Sequence, residues 1–395
     1  MRIDPIALAQ ALIRCASVTP ADAGAQDVLA NVLTGLGFRV ERLVFGGPPD
    51  GPVTNLFATI GDGAPHFAFA GHTDVVPVGN PSAWRVDPFS GEIVDDRLIG
   101  RGANDMKGAI AAFVAAAAGH VAQGLPGRLS LIITGDEEGP ATYGTAPMLD
   151  WIEAQGLVPD ACLVGEPTSA VQLGDMIKIG RRGSLNAWIT VNGVQGHVAY
   201  PSRAENPLTR LVAIMAALRA RSLDAGNAWF QPSNLEITDV SVNAGAGNPA
   251  TNMIPGTASA RLNIRFNDGH AGADLADWVR GIVADHAPAA DVVVKVSGEA
   301  FLTEPGDLST LVAGAVTEVT GLTAELSTSG GTSDARFIRR LCPVVEFGLP
   351  GATMHKTDES AAVADIDALT AIYPWATIQR PMSWPCICTV AMERP

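Results

Sequence analysis

Positive charge is scarce in this chain. Its 26 Lys and Arg face 41 Asp and Glu, which leaves a formal net charge of −15 over 395 residues. A surface with that excess repels phosphate backbones and anionic lipid, so nucleic acid and membrane are poor partners. Long apolar runs are missing as well. The longest small apolar stretch, AIAAFVAAAAGHV at 109–121, is too short and too rich in Ala for a bilayer and reads as a helix packed closely on a sheet. Cysteine is sparse: Cys15, Cys162 and Cys342 stand singly among apolar neighbours, and five scattered thiols are no disulfide framework. Cys386 and Cys388 form a C-x-C that lacks nearby partners for a zinc site. The first residues, MRIDPIALAQALIR, have neither the basic start nor the long apolar core of a signal peptide, and the expected compartment is the cytoplasm. Internal repeats and low-complexity segments are absent too.

What is present is ample core material. Hydrophobic residues make up 47% of the chain, and its length suggests two or three domains. Up to about residue 179, helical periodicity (DPIALAQALIRCASVT, AQDVLANVLTGLGF, MKGAIAAFVAAAAGHVAQG, TAPMLDWIEAQG) alternates with short β-type runs (RVERLVF, NLFATIG, HFAFAGH, RLSLIITG, DACLVGEP). That alternation predicts an α/β unit with a largely parallel sheet and helices on both faces. From there to about 294 the texture changes to strand, helix, two strands, helix, strand, the order of a ferredoxin-like α+β unit. The α/β texture then returns with LSTLVAGAVTEVTG, CPVVEFG and DIDALTAIY. The middle therefore reads as an insertion: 1–179 with 295–375 form one domain, 180–294 another, and 376–395 an atypical tail rich in Pro, Trp and Cys, with Pro374 expected to end the last helix.

Ligands of open α/β sheets bind beyond the carboxyl ends of the strands. FAFAG leads to His72 and Asp74, LIITGD to Glu137 and Glu138, CLVG to Glu166, and PVVEFGLPGATM to His355, while RGANDMKG puts Asp105 in a Gly-rich loop before a helix. Imidazole with carboxylate and no thiolate suits zinc, and also manganese or cobalt. There are more acidic groups than one tetrahedral zinc needs, which points to two metals. Taken singly, each residue has a plainer reading. His72 could be a structural histidine, Asp105 a helix cap, Glu137 and Glu138 a solvated turn, Glu166 turn chemistry before Pro167, and His355 part of a surface loop. Their shared placement favours the metal reading.

The motifs GHTDVVP, GRGANDMKGA, GDEEG, GEPT, GRRGS, GVQGHVAYP, ENP and GGTSDARF, in that order over roughly residues 5–373, resemble the M20 metallopeptidase family. The resemblance implies a zinc-peptidase-like catalytic domain with a mixed, mainly parallel sheet, and an inserted ferredoxin-like dimerisation or lid domain. It implies two Zn2+ per subunit, with Co2+ or Mn2+ able to substitute. Asp105 would bridge the metals; His72 and Glu166 would complete one site, Glu138 and His355 the other. Glu137 would be the general base, and Asp74 would hydrogen-bond His72 to fix its tautomer. His197 would reach the active site of a partner subunit in a homodimer. Arg182 and Arg265 would hold substrate carboxylates, Thr332 and Ser333 would belong to the carboxylate pocket, and Asn252 would contact substrate; Arg182 and Arg265 as plain strand-surface charges is the alternative. Where the resemblance leads one to expect two adjacent Asn, this chain has Thr251 and Asn252. The implied reaction is hydrolysis of N-succinyl-L,L-2,6-diaminopimelate. The alternatives are deacylation of acetylornithine or another N-acyl amino acid, and a noncatalytic metal-binding protein of the same fold.

Overall fold

The computed structural model describes residues 1–373; the expected tail, with Pro374, Cys386 and Cys388, lies outside the described residues. In chain order the main elements are α1 (Pro5–Arg14), α2 (Ala25–Gly35), β1 (Arg39–Phe45), β2 (Val53–Gly61), β3 (His66–His72), α3 (Gly108–Gln123), β4 (Arg128–Thr134), α4 (Thr145–Ala154), β5 (Ala161–Val164) and β6 (Met176–Lys178). They continue with β7 (Gly183–Asn192), α5 (Pro207–Ala220), β8 (Asn234–Val242), β9 (Thr257–Phe266), α6 (Gly272–His286) and β10 (Asp291–Gly298). The last are α7 (Asp307–Thr320), β11 (Glu325–Ser327), α8 (Ala335–Ile338), β12 (Val344–Glu346) and α9 (Val363–Ile372).

The chain divides into two compact units. The first holds Met1–Ile179, Thr303–Ser327 and the stretch from Ser333 onward; the second holds Gly180–Leu302 and Thr328–Thr332. The strand Asp291–Gly298 carries the second unit past residue 294, where the change of sequence texture had suggested its end.

In the first unit eight strands form one sheet in the order β1-β2-β4-β3-β5-β12-β6-β11. The contacts β3 to β4, β3 to β5, β5 to β12 and β6 to β11 are parallel; β1 to β2, β2 to β4 and β12 to β6 are antiparallel. The sheet is mixed, and β4, β3, β5 and β12 end on one side. All seven residues of β3 are buried, as expected of an interior strand with both faces covered. The Ala-rich helix α3 packs closely, and its Phe113 stacks on Phe69 of β3 at 4.1 Å between ring centroids. Tyr373 meets both rings edge-on. At α1, Pro5 occupies the first turn and the Asp4 carboxylate accepts the N–H groups of Ile6 and Ala7. A small sheet joins Glu92–Val94, Arg97–Ile99 and Ser360–Ala362, which fixes the start of the Asp105 loop beside the end of the His355 loop.

In the second unit the order β7-α5-β8-β9-α6-β10 folds into a four-stranded antiparallel sheet, β8-β9-β7-β10. This is the ferredoxin-like arrangement. Leu185, Ala187, Ile189 and Val191 of β7 and Ala258, Ala260, Leu262, Ile264 and Phe266 of β9 alternate inward. They pack on Leu211, Ile214 and Leu218 of α5 and on Leu275, Ala276, Val279 and Val283 of α6.

Candidate metal centre

Four strand ends supply the site. His72 is the last residue of β3; the Glu137–Glu138 pair follows β4, Glu166 follows β5, and His355 lies in the loop after β12. Asp105 comes from the short helical turn Ala103–Lys107, where its own backbone (φ −128°, ψ 89°) departs from helical geometry before α3 begins.

The carboxylate of Asp105 stands between the two imidazoles. Its Oδ1 is 3.2 Å from His72 Nε2, and its Oδ2 is 3.2 Å from His355 Nε2. Glu138 Oε1 is 2.8 Å from His355 Nε2, and Glu166 Oε1 is 3.8 Å from His72 Nε2. Single ligand atoms of His72, Asp105 and Glu138 lie within 4.8 Å of one another, as do those of His72, Glu137 and Glu166. The structure thus brings together all six side chains expected at the strand ends, with one oxygen of Asp105 turned to each histidine.

The electrostatics show what such crowding demands. Burial pushes Glu137 well above the ordinary carboxylate range, and the charge of Glu166 adds to the push. Burial alone would raise Asp105 too, but hydrogen bonds from His355 and His72 outweigh it and hold the group well down. Burial opposes a proton on His72, yet the hydrogen bond and charge of Asp105 raise it well above its usual value. Hydrogen bonds to Asp105 and Glu138 raise His355 to about 10. Buried carboxylates this close repel one another unless cations sit among them. The donor set, two imidazoles and four carboxylates with no thiolate, fits divalent cations of the zinc, cobalt or manganese kind.

Asp74 behaves differently from its expected role. The bond that orients His72 is made by the main-chain carbonyl of Asp74, 2.9 Å from Nδ1, whereas the carboxylate lies 3.7 Å from that nitrogen. That carboxylate instead accepts the N–H of Glu137 at 3.2 Å and of Glu138 at 3.0 Å. One residue therefore aims the imidazole with its backbone and fixes the glutamate pair with its side chain. Burial raises the Asp74 carboxyl to about 6, against the pull of His72 and the two amides. Asp136 holds the same loop from the other end, accepting N–H bonds from Ala141, Thr142 and Tyr143.

Several supporting groups carried no sequence signal of their own. Glu359 is fully buried and paired with Arg101 at 2.6 Å. Lys107 is fully buried, donates to the carbonyl of Cys15, and is lowered by burial to about 8. Met106 rests against two glycines: a Cβ added to Gly71 would come within 2.5 Å of Met106 Cε, and one added to Gly165 within 2.8 Å of the same atom. Those glycines immediately precede His72 and Glu166, and Met106 immediately follows Asp105.

The remaining candidates are placed as follows. Ser333 belongs to the first unit, is fully buried, and donates its hydroxyl to Glu346 at 2.6 Å. His197, Asn252, Arg182, Arg265 and Thr332 belong to the second unit. His197 is exposed on a two-residue strand paired with Met253–Ile254; Ala199 N–H donates to its Nδ1, and Asn252 Nδ2 lies 3.3 Å from its Nε2. Arg182 donates to Asn234 Oδ1, and Asn234 is directly opposite Arg265 in the sheet. Arg182 Nε and Arg265 Nη1 are buried without a hydrogen-bond partner among the described residues, and burial together with the charge of Arg182 lowers Arg265. Thr332 is half-buried.

Comparison with known proteins gives a consistent picture. Residues 68–375 match the model of peptidase family M20/M25/M40. A succinyl-diaminopimelate desuccinylase of Rhizorhabdus wittichii is 63% identical over 94% of this chain and 96% of its own length. Among solved structures, an M20 family metallo-carboxypeptidase of Sulfolobus solfataricus superposes with TM-score 0.77 at 15% identity, covering 94% of this chain and 98% of the other. A Bacillus subtilis protein named as a dinuclear metal binding peptidase from the M20 family superposes with TM-score 0.67 at 15% identity, over 94% and 96% of the two chains. At such identity these two likenesses bear on the fold alone.

Proposed function

The chain belongs to peptidase family M20/M25/M40, and from that premise we propose that it is a metal-dependent hydrolase that splits N-succinyl-L,L-2,6-diaminopimelate into succinate and L,L-2,6-diaminopimelate. The observation that carries the reading is Asp105, with one carboxylate oxygen toward each of two histidines and Glu137 beside them. His72, Asp105 and Glu166 would hold one cation, and Asp105, Glu138 and His355 the other. Two Zn2+ ions there would supply Lewis acidity, lowering the pKa of a water and polarising the succinyl carbonyl.

The chain's own groups supply the proton traffic. Glu137 sits where burial raises its affinity for a proton, so it can take one from the attacking water and deliver it to the departing amine. Asp74 keeps Glu137 and Glu138 facing different ways by holding both amides. The spare N–H groups of Arg182 and Arg265 suit a substrate carboxylate, which favours a dicarboxylic acyl group over acetyl. Asn252 and Thr332, of the same unit, would assist there. His197 would stabilise the oxyanion in the partner subunit of a homodimer, and the enzyme would work in the cytoplasm. None of the described helices is long and apolar enough to cross a membrane.

The test is turnover of N-succinyl-L,L-2,6-diaminopimelate beside N-acetylornithine and other N-acyl amino acids, before chelation, after it, and after zinc is returned. The proposal expects preference for the succinyl substrate, loss on chelation and recovery with zinc. Preference for an acetylated substrate would move the chain to a sister deacylase, and no turnover of any of them with metal bound would reject the hydrolase reading.

A further inference from the structure

Arg101 and Glu359 have no part in the chemistry just described, yet both are buried beside it: their side chains are 3% and 0% exposed. Glu359 divides its two oxygens between two tasks. Oε2 accepts from Arg101 Nη1 at 2.6 Å. Oε1 accepts three main-chain N–H groups, those of Gly102 at 3.0 Å and of Asn104 and Asp105 at 3.3 Å. Three donors of one short loop thus converge on a single oxygen, the geometry of a backbone anion nest, with Gly102 at φ +86° supplying the left-handed turn it needs. Arg101 completes the link. Its Nη1 also donates to the carbonyl of Lys356 and its Nη2 to that of Pro77, both at 3.3 Å, with the carbonyl of His355 at 3.5 Å from Nη2. One ion pair therefore ties the loop carrying Asp105 to the loop carrying His355, and both to the stretch that follows His72 and Asp74.

We propose that the Arg101–Glu359 pair is a positioning clamp that sets Asp105 and His355 in their mutual orientation before any cation is bound. The inference rests on the reading of those residues as metal ligands. Replacing a buried ion pair by apolar residues of similar size often leaves stability unchanged or higher, so stability alone gives little reason to keep the pair. The three amides are another matter: without Glu359 they lose their acceptor, and the loop is free to turn Asp105 away. Glutamine cannot substitute, because its carboxamide has one acceptor oxygen and can serve the amides or Arg101 but not both.

The experiment is a calorimetric zinc titration of the chelator-treated full chain, as wild type, as E359Q and as the double variant R101M/E359L, each with a melting curve. Wild type that takes up no zinc would defeat the metal reading itself and is thereby distinguished. With wild type binding, both variants are expected to bind zinc roughly 10–100-fold more weakly, the usual cost of removing a group that orients a ligand. The double variant is expected to melt near wild type and still bind weakly. Wild-type affinity in either folded variant would overturn the clamp. Hydrogen exchange in the metal-free wild-type chain gives a second readout that needs no variant. The amides of Gly102, Asn104 and Asp105 are expected to exchange slowly without zinc, and fast exchange that slows only when zinc is added would also overturn the proposal.

Discussion

The two units build their sheets under opposite rules. In the first, β3 is buried at every residue, so neither of its faces can present a reactive group. In the second, β10 alternates exposed and half-covered positions, and Trp188 and Val293 show on the sheet face turned away from α5 and α6. The first unit puts its chemistry where the strands stop, and there the carboxylates that brace the ligand loops are engaged: Asp74 by two amides, Asp136 by three, Glu359 by three and by Arg101. The second leaves arginine N–H groups unengaged where it would meet a substrate, at Arg182 and Arg265. A metal site needs ligands that do not move, whereas groups that grip a substrate must have bonds left to make.

That contrast can be broken experimentally, most forcefully at Glu137. Glu137→Gln should lower kcat by about 10²–10⁴-fold, the range for a lost general acid–base group, while metal content by atomic emission stays at the wild-type level. Retained activity would remove Glu137 from the reaction. Next comes Leu262→Ala, in the core of the second unit. Truncating a fully packed leucine costs about 2–5 kcal/mol, read by denaturant unfolding. If the metal site belongs to the first unit alone, zinc affinity of the folded variant should be unchanged, and a weakened affinity would show that the division of labour is wrong.

A third test uses acid. Burial, helped by the charge of Arg128, lowers His66 from its ordinary 6.5 to about 4. Between those values the unfolded chain binds a proton that the folded chain refuses, so this contribution to stability is full above pH 6.5 and is lost as pH falls toward 4. The loss is at most about 3 kcal/mol. His66→Gln should flatten that part of the stability profile; an unchanged slope would assign it to other groups. The smallest effect is expected at Asp74→Asn, which keeps one acceptor for two amides. Activity or metal affinity should fall roughly 10–100-fold with the fold intact, and a silent variant would show that the Asp74 carboxylate does not hold the glutamate pair.

The parts of this design that could be read from the sequence share one property: each announces itself locally. His72, Glu137, Glu138 and Glu166 follow short apolar runs that only a strand explains, and the insertion shows as a change of periodicity. Asp74 was legible as a partner of His72, but residue types cannot say whether its carbonyl or its carboxylate makes the bond. Glu359 was silent because its partners are main-chain amides more than 250 residues away, and a backbone donor leaves no mark on sequence. Arg101 looked like an ordinary charge in a Gly-rich loop for the same reason. The last strand of the insertion was legible as DVVVKVSGEA, and the boundary at 294 falls inside it, at Asp291–Gly298.

Met106 has a consequence for how this protein can change. Its methyl group touches the backbone at the residues before His72 and before Glu166, and it is itself the neighbour of Asp105. Three ligand-bearing segments are thus gauged against one flexible thioether, so a methyl group gained at Gly71 must displace Met106, one gained at Gly165 must displace both Met106 and Phe69, and replacements among these positions will not combine additively. Evolution, or an engineer, can revise this corner of the protein only as a set.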